Sequence, residues 1–302
     1  MPDNIDQLVE SSEAERLATG FEFTEGPLWH PEGHLLFVNN RINRIYRLIP
    51  GGEPEVIREN SGAANGLTFD LQGRLIMCEG DNRQMTRMEP DGSITVIADR
   101  LEGKRLNRPN DVVCRSDGSI YFTDPGGRLA PADREIGFNG VHRIAPNGTV
   151  SAVITDLESP NGLTFSPDER ILYADNTRRD DGCVQEKERG EVCTHQYIRA
   201  YDVAPDGTLS NSRIFANMHS AEDGVPDGMK VDTDGRVYCT GAEGVWVFEP
   251  SGNHVGIIRL PEIPANCAWG DADYRTMYFT ARSSVYRLRM KTTGINPWRH
   301  PK

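Results

Sequence analysis

Six short segments of the chain each begin with a carboxylate or a carboxamide residue. These residues are Glu25, Asn65, Asn110, Asn161, Asp227 and Asn266. Their side chains offer oxygen as the donor atom for a metal, and hard cations such as Ca²⁺ prefer oxygen donors. A carboxylate can also act as a general base. The residue types therefore indicate a divalent-cation site with acid–base chemistry, provided that the fold brings the six segments together.

The residues that follow each start share a pattern that is typical of a β-hairpin. In five of the six segments the second residue is small or Asp, and two apolar runs separated by a polar turn come next. Alternating apolar residues with Asp-Gly or Gln-Gly at the turn predict two short antiparallel strands. The starts lie 40, 45, 51, 66 and 39 residues apart, and a second hairpin follows in most periods. Each period therefore supplies four strands.

A four-stranded unit of this size cannot bury both of its faces alone, whereas six such units arranged radially can. The sequence therefore predicts an all-β fold, a six-bladed β-propeller with four antiparallel strands per blade. Residues 15–20 resemble an outer strand, and we expect this N-terminal strand to close the ring. The predicted organisation is one propeller domain over residues 1–302, with a short polar N-terminal extension over residues 1–14.

The innermost strand of a propeller blade lines the central channel, so the six starts are predicted to meet near one mouth of that channel. The alternative is that Asn and Asp before Gly serve turns through their own side chains. That alternative explains less well why Glu25, a poor turn former, heads the first segment. Because no Lys or Arg occupies an equivalent position, a cation is the expected compensation for the buried carboxylates. We expect one divalent ion, most naturally Ca²⁺, with Mg²⁺, Mn²⁺ and Zn²⁺ as alternatives.

The charge of the chain argues against two classes of partner. The 302 residues include 33 Lys and Arg against 45 Asp and Glu, which gives a formal net charge of −12. Nucleic acids and anionic membranes both favour cationic surfaces, so neither is an expected partner. No apolar run approaches the roughly 18 residues that a membrane-spanning helix needs. Residues 1–15 lack the features of a signal peptide, so we predict a cytoplasmic location. The sequence leaves a monomer and a small homo-oligomer open.

Several other chemistry-bearing residues are interpreted as structural. Cys183 and Cys193 flank a polar stretch, and a disulfide between them is possible in an oxidising compartment. Residues 176–196 are predicted to form a loop that elaborates one rim of the ring. His30 and His219 are expected in turns or on the surface. No G-x-S-x-G motif is present, which argues against a serine hydrolase.

Four motifs carry a resemblance to a known family. They are EGPLW from Glu25, RPND from Arg108, SPNGLTFSPD from Ser159 and PDGMKVD from Pro226. In these motifs and in their order, the chain resembles the senescence marker protein/gluconolactonase family, also called regucalcin-like. The resemblance extends over nearly the whole chain. It implies a six-bladed propeller with one divalent ion in the central channel and, for many members, the hydrolysis of sugar lactones.

The resemblance also implies roles for individual residues. The positions that match metal ligands are Glu25, Asn161 and Asp227, with Asn110 contacting the metal or the substrate depending on the member. Arg108 matches an arginine that binds substrate oxygens, and its alternative is a surface arginine before a proline turn. For Asn65 and Asn266 the resemblance gives no equivalent. The repeat argument alone makes Asn65 a candidate for substrate binding.

The implied reaction is the metal-dependent hydrolysis of a small-molecule lactone such as gluconolactone. The ion would polarise the lactone carbonyl, and Asp227 is the candidate general base. A cation lowers the pKa of a carboxylate and so weakens it as a base, which keeps water activation by the ion open as the alternative. Three other functions stay open: aryl-ester or organophosphate hydrolysis at the same site, a non-catalytic calcium-binding propeller, and a strictosidine-synthase-like propeller without a catalytic metal.

Overall fold

The protein is described by a computed structural model over residues 5–127, 129–178 and 180–298. The repeats fold into six four-stranded antiparallel sheets, the blades of a β-propeller. Numbered in chain order, strand β1 (Glu15–Thr19) comes first. Blade 1 then contains β2 (Thr24–His30), β3 (His34–Asn39), β4 (Arg44–Leu48) and β5 (Glu55–Arg58), and blade 2 contains β6 (Ala64–Phe69), β7 (Leu75–Glu79), β8 (Gln84–Met88) and β9 (Ile94–Ala98).

The remaining blades follow the same plan. A small hairpin of β10 (Arg100–Leu101) and β11 (Lys104–Arg105) precedes them. Blade 3 contains β12 (Val112–Cys114), β13 (Ile120–Asp124), β14 (Gly140–Ile144) and β15 (Val150–Ile154), and blade 4 contains β16 (Pro160–Phe165), β17 (Ile171–Thr177), β18 (Gln196–Val203) and β19 (Leu209–Asn217). Blade 5 contains β20 (Met229–Val231), β21 (Val237–Gly241), β22 (Gly244–Phe248) and β23 (His254–Arg259). Blade 6 contains β24 (Asn266–Gly270), β25 (Thr276–Ala281) and β26 (Ser284–Arg289).

The N-terminal strand closes the ring, as the sequence predicts. Strand β1 pairs antiparallel with β26, with Glu15 opposite Arg287 and Thr19 opposite Ser284. Blade 6 therefore joins the two ends of the chain in one sheet. The prediction of a six-bladed all-β propeller with this closure is confirmed.

The apolar core is divided into six clusters, and each cluster fills the gap between two neighbouring blades. Between blades 6 and 1, for example, Trp29 stacks on Tyr278 with ring centroids 5.0 Å apart. Fully burying one large apolar side chain contributes about 1.5–3 kcal/mol. The blades therefore support each other in a closed ring rather than around one central core.

The segment before β1 takes part in this packing. Residues 5–7 form a 3₁₀-helix, and Ile5, Leu8 and Val9 are buried in the cluster between blades 5 and 6. Two further 3₁₀-helices are Asn40–Ile42 and Pro131–Asp133. The extension that looks polar in sequence thus contributes three apolar side chains to the core.

The segment over residues 176–196 contains a helix and is not a loop throughout, which corrects the expectation from sequence. Helix α1 (Asp181–Glu188) begins after Asp180, whose side chain accepts a hydrogen bond from the Cys183 backbone N–H at 2.8 Å. A disulfide joins Cys183 to Cys193. Only Cys183 of the eight helical residues is buried, so the helix lacks the apolar stripe that would have revealed it in sequence.

Within the described residues, none of the helices has both the length and the apolar character needed to cross a membrane.

Candidate functional site

Five of the six segment starts line one cavity of about 390 Å³, together with Arg108. The five are Glu25, Asn65, Asn110, Asn161 and Asp227. They come from blades 1 to 5 and are far apart in sequence, so the radial arrangement of the blades is what brings them together. The structure therefore places every candidate metal ligand and every candidate substrate-binding residue at a single site.

A glycine follows four of the six starts and explains how the inner strands approach so closely. A Cβ atom on Gly26 would lie 2.0 Å from the carbonyl oxygen of Asn65, and one on Gly162 would lie 2.0 Å from that of Asp227. Gly26 also has a φ of +53°, a conformation that side chains disfavour. A side chain at either position would force two neighbouring blades apart. The repeated small residue is thus a packing requirement of the channel.

Four carboxamides form a hydrogen-bonded belt around the mouth of the cavity. The Asn40 Nδ2 donates to Asn65 Oδ1 at 2.9 Å, and the Asn65 Nδ2 donates to Asn110 Oδ1 at 3.0 Å. The Asn110 Nδ2 in turn donates to Asn161 Oδ1. An amide oxygen has two lone pairs, so each acceptor can bind a second group. The belt fixes the side chains of Asn110 and Asn161 without using up their oxygens.

The two carboxylates of the site are buried, and hydrogen bonds to the backbone help to hold both residues in place. Glu25 is 2 % exposed and Asp227 is 8 % exposed. The Glu25 Oε2 accepts the Gly26 backbone N–H at 2.9 Å. The Asp227 backbone N–H donates to Thr240 in the neighbouring strand, which holds this residue at the channel wall. Asn161, which is 3 % exposed, lines the same cavity, so three residues from three blades offer oxygen donors there, and such a set fits a hard dication.

Arg108 brings positive charge to the same cavity. Its Nη1 lies 2.6 Å from Asp81 Oδ1, and its side chain is 20 % exposed. Arg41, which lies over the Phe23 ring at 5.6 Å, also lines the cavity. The cavity is therefore lined by two carboxylates and by two guanidinium groups that can bind oxygens of a polar ligand.

Asn266 does not line the cavity, in contrast to the expectation that all six starts converge. It is the first residue of β24 and pairs regularly with Thr280. Its Nδ2 donates to Asp111 Oδ2 at 3.4 Å, and its Oδ1 accepts the Cys267 backbone N–H at 2.9 Å. Asp111 is buried, and burial raises the pKa of its carboxyl group, with Lys230 acting in the opposite direction. Asn266 thus satisfies a buried polar group outside the lining of the cavity.

Two histidines that the sequence predicts in turns or on the surface also lie outside the lining of the cavity. His219 and His30 are absent from the lining of the cavity within the described residues. Asn40, which sequence reasoning missed, does line it and begins the amide belt. Asn40 follows β3 instead of starting a repeat, so the repeat pattern could not have identified it.

Comparison with known proteins agrees with this architecture. Residues 23–283 match the family described as SMP-30/Gluconolactonase/LRE-like region. The chain belongs to this family. Relatives that resemble the chain include a gluconolactonase from Zymomonas mobilis, 28% identical over 94% of this chain and 83% of that protein. The family recognised from the four sequence motifs is therefore confirmed.

Solved structures extend the likeness to three dimensions. A gluconolactonase from Xanthomonas campestris superposes with a TM-score of 0.82, at 30% identity and over 95% of this chain and 92% of that chain. A protein described as calcium-binding regucalcin from Agrobacterium tumefaciens gives a TM-score of 0.73 at 18% identity, over 96% and 95% of the two chains. At that identity the second likeness supports the fold alone.

Proposed function

We propose that the protein hydrolyses a sugar lactone and depends on a divalent ion at the mouth of its central channel. The observation that carries the proposal is the convergence of the Glu25, Asn161 and Asp227 side chains on one cavity with Arg108. Relatives named gluconolactonase and pentonolactonase support a lactonase, a hydrolase acting on ester bonds. A volume of about 390 Å³ lies in the lower part of the usual range for small-molecule sites, which suits a single sugar ring.

The donor set is what favours an ion. Glu25, Asn161 and Asp227 would hold it, with Asn110 as a further ligand or a contact to the substrate. Two carboxylates and neutral amide oxygens match the preferences of Ca²⁺, and Mg²⁺, Mn²⁺ or Zn²⁺ could replace it. When bound, the dication supplies Lewis-acid polarisation of the lactone carbonyl.

Asp227 is the proposed general base. Its carboxylate accepts a proton from a water molecule as the water oxygen bonds to the carbonyl carbon of the lactone. The bond between that carbon and the ring oxygen then breaks, and the proton passes to the ring oxygen to give a hydroxy acid. A carboxylate near a cation is a weak base, but a lactone is a reactive ester and needs only modest assistance. Glu25 is assigned as a ligand alone.

Arg108 and the amide belt are proposed to hold the substrate. The Arg108 guanidinium has five N–H donors, and its contact with Asp81 leaves others for the hydroxyl or carbonyl oxygens of a sugar. Asn65 and Asn110 line the same cavity, and their oxygens can accept hydrogen bonds from substrate hydroxyl groups. The positions of the belt oxygens are fixed before the substrate arrives, which lowers the entropy cost of binding.

The proposed setting of the protein follows the sequence. We infer one propeller domain over residues 1–302 that acts as a monomer or a small homo-oligomer on a small-molecule substrate. The predicted cytoplasmic location stays a prediction. The Cys183–Cys193 disulfide argues against it, because disulfides are rare in reducing compartments.

A pH-indicator assay over a panel of sugar lactones tests the proposal. The protein is first treated with a chelator, each of the four ions is then added back separately, and a blank without enzyme corrects for spontaneous hydrolysis. We expect the chelated protein to lose activity and one ion, most naturally Ca²⁺, to restore it. Full activity after verified removal of all metal would contradict the proposal.

A second candidate function is hydrolysis of an organophosphate at the same site. It is favoured by a relative named diisopropyl-fluorophosphatase from Loligo vulgaris, 26% identical over 68% of this chain and 65% of that protein. Adding a phosphotriester and an aryl ester to the panel separates the candidates. Faster turnover of the phosphotriester than of every lactone would favour the second candidate. Ion binding without turnover of any substrate would favour a calcium-binding propeller.

A further inference from the structure

The first hairpin of the ring carries a cluster of metal-ligating groups at the end opposite to Glu25. Within residues 5–127, 129–178 and 180–298, His30, Glu32 and His34 are the one group of three His, Cys, Asp or Glu side chains whose ligand atoms all lie within 4.8 Å of one another. We propose that this hairpin binds a transition-metal dication such as Zn²⁺, Ni²⁺ or Cu²⁺. This site is separate from the proposed channel ion and goes beyond the proposed hydrolysis.

The hairpin geometry places the two imidazoles side by side. His30 ends β2, His34 begins β3, and the two residues are direct partners in the antiparallel register. Partners of this kind have Cβ atoms about 4.5–5.5 Å apart on the same face of a sheet. The two rings are parallel within 10°, with centroids 4.4 Å apart. Small rotations of the side chains can therefore direct one nitrogen of each ring toward a shared ion.

Glu32 completes the set from the turn. Its Oε2 lies 3.8 Å from His30 Nδ1, and its side chain is 78% exposed. Its backbone N–H donates to the same nitrogen at 3.2 Å, so His30 Nδ1 presents its lone pair toward Glu32. A cation can replace this hydrogen bond and gain the carboxylate as a charged ligand. Two imidazoles and one carboxylate are the ligands of several protein zinc sites.

The surroundings of the cluster favour the ligand form of the rings. The Phe69 and Trp298 rings pack against His30 with centroids 5.4 and 5.3 Å away, and His34 is 8 % exposed. Burial lowers the pKa of His30, against a smaller opposite effect of Glu32. Burial also lowers the pKa of His34, with further lowering by His30 and Arg47. Neutral imidazole is the form that binds a metal.

This site differs from the proposed channel site in its position and in the ions that its donor atoms favour. Glu25 and His30 are five residues apart along β2, about 17 Å at the rise of a β-strand. Imidazole favours Zn²⁺, Ni²⁺ and Cu²⁺, whereas the all-oxygen set favours Ca²⁺. One ion cannot bridge the two ends of the strand, and each site selects a different kind of ion.

Tryptophan fluorescence tests the proposal without an activity measurement, because Cu²⁺ quenches nearby indoles and Trp298 packs on His30. In the fluorescence experiment, Cu²⁺ alone is titrated into the full chain. In a separate calorimetric titration with excess Ca²⁺ present, the stoichiometry of Cu²⁺ binding is measured. We expect saturable quenching with one equivalent, at least tenfold weaker binding in His34→Ala, and weaker binding in Glu32→Gln. Glu32 lies on an exposed turn, so Glu32→Gln keeps the test valid if His34→Ala fails to fold.

A matched control uses a second histidine that lies against a tryptophan ring. His254 is exposed and lies beside Trp246, with ring centroids 4.7 Å apart. His254→Ala should leave the saturable phase unchanged. The proposal is overturned if that phase is absent from the wild type, if it survives in both His34→Ala and Glu32→Gln, or if His254→Ala removes it.

Discussion

The two ends of strand β2 differ in chemistry although they belong to one strand of seven residues. At its start, Glu25 is buried at the mouth of the channel among amide oxygens supplied by other blades. At its end, His30 faces His34 and Glu32 from the same hairpin. The first set of donors depends on closure of the whole ring, and the second depends only on the register of one hairpin.

This difference means that substitutions at the two ends of β2 should have separate effects. The cavity is lined by residues from five blades, so a substitution in any of these blades can change it, and the proposed ligands stay together only if the blades keep their positions. A site on one hairpin needs no such agreement between distant segments. We therefore expect substitutions at the start of β2 to affect the reaction and those at its end to affect only the second proposed ion.

Asp227→Asn gives the largest effect that we expect, and it acts on the channel end alone. The amide keeps an oxygen near the proposed ion but cannot accept the proton of the attacking water. The rate constant kcat for lactone hydrolysis should fall about 10³-fold, within the range for loss of a general base. Steady-state kinetics with the restored ion measure it, and Cu²⁺ quenching at the hairpin should be unchanged.

A matched control for that variant is Asp234→Asn in the same blade. Asp234 lies on an exposed turn, paired with Arg236 at 2.8 Å, away from the cavity. Its replacement should leave kcat within about twofold, because surface ion pairs contribute little. If Asp227→Asn retained the wild-type kcat, water activation by the ion would become the better assignment.

The fold was readily predicted from the sequence because its signal is repeated. The blades begin near the predicted starts, and the N-terminal strand pairs with β26 as expected. The pattern also identifies Gly26 and Gly162, whose missing side chains let neighbouring blades approach. Because the pattern occurs in every blade, the strands can be predicted even where the sequence of one segment is ambiguous.

The parts of the site that sequence reasoning missed depend on contacts that a repeat does not encode. Asn266 has the right residue type, but it lies outside the lining of the cavity, where its side chain contacts Asp111. Asn40 reaches the mouth from outside the repeat pattern. Outside the channel site, the sequence predicts a turn or the surface for His30, and its partner His34 can be recognised only when the hairpin register is known. The repeat pattern predicts where strands lie, whereas side-chain partners can be identified only from the pairing register.

Glu25→Gln gives the most direct test of the difference between the two ends of β2. The substitution removes one negative charge at the start of the strand and keeps an oxygen donor. Because the number of charged ligands sets the affinity for Ca²⁺, we expect at least about tenfold weaker binding, roughly 1.4 kcal/mol. Isothermal titration with each of the four ions measures the affinity, and thermal unfolding checks that the fold is retained.

The same variant should bind Cu²⁺ at the hairpin as the wild type does, and His34→Ala should show the reverse pattern. Loss of both ions in both variants would mean that the two ends of the strand are coupled. Wild-type affinity for all four ions in Glu25→Gln would remove Glu25 from the proposed ligand set.

Arg108→Lys gives the smallest of these effects, because it changes neither proposed ion. Lysine keeps the positive charge and loses the planar pair of N–H donors that suits substrate oxygens. We expect KM for the lactone to rise about tenfold with little change in kcat, since an interaction that serves binding alone contributes equally before and during the reaction. Arg41→Lys, in the same cavity, is the comparison.

The ion pair between Arg108 and Asp81 allows a second variant, which should not raise KM as Arg108→Lys does. In the structure the guanidinium is held 2.6 Å from the Asp81 carboxylate, which competes with substrate oxygens for it. Asp81→Asn should release Arg108 and lower KM or leave it unchanged, whereas Arg108→Lys raises it. If both variants and Arg41→Lys raised KM equally, the cavity would be responding to its overall polarity rather than to a specific contact with Arg108.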